Sequence, residues 1–138
     1  ALSVSRCPVC YNGDIFTTED LKVFRARFAN VDKVMLGRGL LVNPMLIEMA
    51  EDGTAIDTER IRKFHDMVYG GYREVLSGDK VILFKMKELW SYMIHLFSDS
   101  KKYAKKIRKS EKLPAYEEAV DALFLECPLR EPERNAQT

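Results

Sequence analysis

The sequence predicts a short parallel α/β unit followed by an all-α region, a chain that is mostly helical overall. Three observations carry this. Two short apolar runs, Pro8–Tyr11 and Lys33–Leu36, each stop abruptly at small or polar residues. A helix-like stretch from Thr17 to Phe28 lies between them. From Asp57 onward apolar residues recur at three- and four-residue steps and no strand-like alternation returns.

The first run is expected to be a strand that turns at Asn12-Gly13-Asp14. Thr17 then opens a helix, with Asp20 three residues on in a capping-box arrangement. Leu21, Phe24, Ala26 and Phe28 are its expected apolar positions. Asn30 and Asp32 turn the chain into the second strand, which ends at Gly37-Arg38-Gly39. Both turns fall at strand carboxyl ends, where parallel α/β folds bind ligands. Glycines there let backbone approach a bound group, and Asn12 and Arg38 are donors suited to an anion. Read alone, each turn is also an ordinary strand-end turn, for which Asn-Gly is common.

Asn43 and Pro44 predict the N-cap and first residue of a helix reaching Ala50, stopped by Asp52-Gly53. Ile61, Phe64, Val68, Tyr72 and Val75 make the expected inner stripe of the next helix, closed by Ser77-Gly78. Lys80 to Phe97 is apolar nearly all round. Its polar side is a narrow stripe through Lys87, Glu88, Ser91 and His95, so it is expected at the centre of a bundle. Asp99 to Lys109 is short and basic, with Tyr103, Ala104 and Ile107 to pack. Pro114 opens a last helix with Tyr116, Val120, Leu123 and Phe124 inward. Residues 126–138 carry no periodicity and are expected to fray. His65, His95, Trp90 and Tyr92 are expected to pack rather than react.

Charge is uneven along the chain. Lys and Arg number 7 against 9 acids in residues 1–60, 13 against 6 in 61–112, and 2 against 6 in 113–138. The middle block is where a polyanion would bind. Within it Lys101, Lys102, Lys105, Lys106, Arg108, Lys109 and Lys112 face a single acid, Glu111. Too many to share one face, they predict a helix basic all round, either a solvated surface or an RNA contact. Lys85 and Lys87 are expected to add to the same surface.

Three cysteines make no disulfide framework, and the odd count fits a reducing, cytoplasmic setting. Cys7-Pro8-Val9-Cys10 has zinc-ligand spacing but no second ligand pair, and Cys10 is expected to face a core; no metal is expected. No apolar run reaches membrane-spanning length, and residues 1–15 lack the pattern of a signal peptide.

Asn12-Gly13-Asp14-Ile15 after a strand, then Met35-Leu36-Gly37-Arg38-Gly39-Leu40, then Asn43-Pro44, resembles the end of a tRNA-dihydrouridine synthase barrel. The likeness covers residues 8–50 closely and 80–125 more loosely, around Lys85-Met86-Lys87-Glu88-Leu89-Trp90. It implies the last two βα units of an FMN-binding (β/α)₈ barrel in residues 1–52. A helical tRNA-binding domain would fill 53–125, with a tail over 126–138. Asn12, Gly13, Asp14, Gly37 and Arg38 would then contact FMN in the loops after strands 7 and 8. Asp14, an anion, would order its loop through backbone hydrogen bonds rather than touch phosphate. Lys85, Lys87, Lys101, Lys102, Lys105, Lys106, Arg108 and Lys109 would meet tRNA.

The implied reaction is FMN-dependent reduction of uridine to 5,6-dihydrouridine in tRNA, with NAD(P)H as reductant. The family's catalytic cysteine loop, and a lysine and a histidine on middle strands, have no matching positions here, so no catalytic residue is assigned. The chain is therefore expected to be a C-terminal piece, inactive alone, whose open strands could pair two copies. The alternatives are another FMN-dependent TIM-barrel oxidoreductase and a non-enzymatic helical RNA-binding module.

Overall fold

The computed structural model of the chain describes residues 10–12 and 15–130. Strand β1 (Cys10–Asn12) and strand β2 (Lys33–Met35) pair in parallel, Cys10 against Lys33, Tyr11 against Val34 and Asn12 against Met35. Helix α1 (Thr18–Arg27) is the crossover between them. Asn12 thus ends the strand instead of opening the turn, while Pro8, Val9, Gly13 and Asp14 lie outside the described residues. Cys10 is exposed on β1, against the expectation that it faces a core.

The capping box of α1 forms as expected. The Asp20 amide donates to Thr17 Oγ1 at 3.0 Å, and Asp20 Oδ2 accepts from the Phe16 and Thr17 amides at 3.1 and 3.2 Å. Two orphan donors at the helix start are satisfied at once. Leu21 and Phe24 are buried, but Ala26 and Phe28 are exposed. At 100° per residue Ala26 falls on the far side from Leu21 and Phe24.

The chain after β2 departs from the expected open turn. Arg38–Val42 forms a single-turn helix, α2, and Leu46–Asp52 forms α3. Asn43 is not the N-cap of α3. It is the fully buried C-cap of α2, and its Oδ1 accepts from the Met45 amide at 3.0 Å. Gly53, at φ 66°, ends α3 in the left-handed region, as expected of a glycine stop. Ile15, Leu21, Phe24 and Leu46 make a small core here, with Val34 and Leu36 packed against it.

The second and larger core lies in the helical part. Helix α4 (Thr58–Val75) is capped by Asp57, whose Oδ1 accepts from Glu59 at 2.9 Å. Its innermost residues are Ile61, His65 and Tyr69, while Val75 is exposed. The face is therefore centred between the expected stripe and His65. Gly78, at φ 96°, separates α4 from α5 (Asp79–Met93). Helix α5 is the bundle centre through Ile82, Leu83, Met86, Leu89, Trp90 and Met93. Its Val81 and Phe84 are exposed, so it is not buried all round.

At Ile94–Leu96 the helix tightens into a 3₁₀ turn. Helices α6 (Lys101–Lys109) and α7 (Leu113–Glu126) close the bundle. In α7 Tyr116, Val120 and Leu123 are buried and Phe124 is half-buried. Residues 127–130 do not fray. Leu129 bridges Phe97 in antiparallel fashion, the Ser98 amide donates to the Pro128 carbonyl at 2.9 Å, and the Arg130 amide to Leu96 at 2.6 Å. None of the helices described is long and apolar enough to cross a membrane.

Candidate functional site

Parallel neighbours send their outgoing loops in the same direction, about 4.8 Å apart. The register of Asn12 with Met35 therefore brings the segment after β1 beside Gly37-Arg38-Gly39. Two contacts tie these segments together. Gly39 is buried, and a Cβ there would collide with the Ile15 carbonyl, so only glycine lets α2 sit this close. The Arg38 guanidinium lies over the Phe16 ring, 5.8 Å from its centroid.

Gly37 has open space where its Cβ would be, and both Gly37 and Arg38 are exposed. The result is an exposed arginine beside a glycine with open space at its Cβ position. Asp20 anchors the start of α1 by accepting from the Phe16 and Thr17 amides. Gly13 and Asp14 lie outside the described residues, and Asn12 is described as backbone alone.

The basic helix α6 is amphipathic rather than basic all round. Tyr103 and Ile107 turn inward, and Lys101, Lys102, Lys105, Lys106, Arg108 and Lys109 are exposed. A cleft runs along each flank. Lys101, Lys105 and Arg108 border the one against α5 and the 3₁₀ turn. Lys102, Lys105, Lys106 and Lys109 border the one against α7. Lys102 and Lys106 also approach the Tyr103 ring at 5.6 and 6.0 Å.

Lys85 and Lys87 do not join this surface together. Two residues on a helix are 200° apart. Lys85 borders a shallow hollow with Leu41, Phe64 and Tyr72 on the opposite side of α5. Lys87 lines the α5–α6 cleft and donates through Nζ to the Ser110 carbonyl at 2.7 Å.

Trp90 is core, as expected, and so is His65. Tyr116 Oη receives the Trp90 Nε1 hydrogen at 2.8 Å and lies 2.7 Å from His65 Nε2. His65 Nδ1 is 2.9 Å from Asp66 Oδ1. Burial pushes the His65 pKa down although Asp66 pulls the other way, and burial pushes the Tyr116 hydroxyl pKa up. A neutral imidazole and a neutral phenol joined in a dry core form a structural lock. Among the described residues no group of three or more His, Cys, Asp or Glu gathers as a metal site.

A family model described as Dihydrouridine synthase (Dus) matches residues 2–129, nearly the whole chain. No curated protein matches it.

Proposed function

We infer function from one premise: the chain belongs to the dihydrouridine synthase family. The family reduces uridine to dihydrouridine in tRNA, so this chain is assigned to that oxidoreductase chemistry. Within it, β1 and β2 are proposed as the last two strands of a (β/α)₈ barrel, with residues 1–52 its end and 53–125 a helical tRNA-binding domain. The smaller core lies wholly within residues 15–50 and most of the larger comes from α4 to α7, with Met45 and Met49 joining the larger one across the proposed boundary.

The observation that carries the site is the convergence of Arg38 and open Gly37 with the segment after β1. That donor set fits a phosphate. Arg38 and the Gly37 backbone would hold the FMN phosphate, with Asn12, Gly13 and Asp14 completing the loop. FMN, reduced by NAD(P)H, would supply the hydride delivered to the uracil ring. The chain's own part is to seat the flavin and, through α6, to hold the tRNA backbone. The family match favours this reading over a different flavin oxidoreductase.

A first test compares Arg38→Ala with Arg25→Ala in the full-length protein. Arg25 reaches Glu51 at 3.1 Å on the surface, where an ion pair contributes little. A charged hydrogen bond is worth about 1.5–3 kcal/mol, so Arg38→Ala should lower flavin affinity about tenfold or more. Equal flavin content in the two purified variants would remove Arg38 from the site. A second test is turnover on unmodified tRNA with a nicotinamide reductant. The 138-residue chain alone is expected to leave uridine intact, because the family's cysteine loop has no counterpart in it. Reduction by the chain alone would overturn the division of labour proposed here.

A further inference from the structure

The cleft between α5, its 3₁₀ extension and α6 has a volume of about 540 Å³ and carries one sign of charge. Ile94 and Ala104 supply apolar surface, with Ile107 and Trp90 buried behind them. Lys87, Lys101, Lys105 and Arg108 line it with cations, and Ser91 and His95 add polar atoms. No acid lines it, whereas the cleft on the other flank of α6 includes Glu118. Two lining groups are already fixed. Lys87 Nζ is held by the Ser110 carbonyl, and Trp90 Nε1 by Tyr116, so the buried indole backs the cleft wall and offers it no donor.

A ligand that matches must join a flat apolar part to an anion at short range. An unpaired nucleotide has that construction, and proteins take such nucleotides by apolar or aromatic contact to the base and cationic contact to the backbone. A stacked duplex offers phosphates but keeps its base faces covered. We propose that this cleft is a subsite for one unpaired nucleotide of the bound RNA. Its base enters against Ile94 and Ala104, and its phosphates meet Lys101, Lys105 and Arg108. The proposal rests on the reading of α6 as an RNA-binding helix and adds to it a pocket selective for unpaired RNA.

The chain's single tryptophan, Trp90, lines the cleft and serves as the reporter. Titration with a short unpaired oligoribonucleotide at low salt should change Trp90 emission. A duplex RNA of equal charge should bind without that change. Lys101→Gln and Lys102→Gln remove the same charge from adjacent positions, but only Lys101 lines this cleft. Both should lower the salt dependence equally, and Lys101→Gln should cost at least about fivefold more affinity for the unpaired oligonucleotide. Ala104→Phe, or Ser91→Phe from the opposite wall if the first does not fold, should abolish the emission change.

RNA binding with unaltered Trp90 emission and equal losses for the two lysine variants would remove the subsite and leave the RNA-binding surface standing. No RNA binding at low salt would remove both. An acidic peptide that changes Trp90 emission where RNA does not would assign the cleft to a protein partner and overturn the proposal.

Discussion

At Gly39 the chain has no room for a methyl group, because the Ile15 carbonyl occupies the space a Cβ would take. Gly37, two residues earlier, has nothing within contact range of a Cβ and an ordinary negative φ. The two glycines should therefore respond oppositely to alanine. Gly39→Ala is expected to cost about 1–3 kcal/mol, the usual penalty for overpacking, and Gly37→Ala less than about 0.5 kcal/mol. Chemical denaturation of both variants checks this; matching midpoints would mean that the strand-end segments do not touch. His65 makes a second prediction. Its folded-state pKa is depressed by burial, so the unfolded chain binds the extra proton as pH falls through about 6.5. The stability held by neutral His65 is complete above that pH and is lost as pH drops toward the lower folded value. Thermal midpoints should fall between about pH 7.5 and 5.5, and His65→Gln should flatten this fall more than His95→Gln, since His95 is far less enclosed. An unchanged pH slope in His65→Gln would exclude the imidazole as its source.

The elements separate what is local from what is not. The Thr17–Asp20 capping box and the glycine stops at Gly53 and Gly78 are legible in sequence because each is decided within a few residues. The inner face of α4 is not. His65 is drawn inward by Tyr116 and Trp90, which lie on α7 and α5, and no periodicity within α4 announces them. The candidate site divides in the same way. Glycine, asparagine and arginine at two strand ends mark the loops, but Phe16 under Arg38 and Ile15 against Gly39 are long-range contacts. Residues 127–130 read as aperiodic, yet Pro128 and Arg130 are held through backbone hydrogen bonds to Ser98 and Leu96, while residues 131–138 lie outside the described residues. Lys87 shows what this changes in practice. Counted by charge it belongs with the basic surface, but its Nζ ties α5 to the end of α6. Lys87→Met is expected to destabilise the fold by about 1.5–3 kcal/mol, the range for a charged hydrogen bond. Lys85→Ala, exposed on the other side, should stay within about 0.5 kcal/mol. Equal melting temperatures for the two would show that the Lys87–Ser110 contact contributes nothing.

Across the whole molecule the two cores differ in how well they are closed. The larger core draws on α4, α5, α6 and α7, with Met45 added from the segment before α3, and buries Met86, Met93, Leu96, Tyr116 and Leu123 almost completely. The smaller core lies under a two-stranded parallel sheet, and among the described residues no third strand pairs with either member. Parallel sheets are normally extended by further strands and covered on both faces, and unpaired strand edges template pairing with other chains. Val34 and Leu36 are half-buried on the small core. The exposed apolar residue of β2 is Met35, at 56%. The 138-residue chain is therefore expected to unfold in two stages, with amides of β1 and β2 exchanging fast unless a second copy pairs along them. Amides of α5 and α7 should exchange slowly in either case. Light scattering at several concentrations, read together with hydrogen exchange, distinguishes a frayed monomer from a paired dimer. On the proposed barrel reading, a longer chain that carries the neighbouring strands should protect β1 and β2 without self-association, since those strands would cover their edges. A strict monomer of the short chain with slow exchange across residues 10–12 and 33–35 would mean that the sheet is complete with two strands, and would refute the barrel reading at its base.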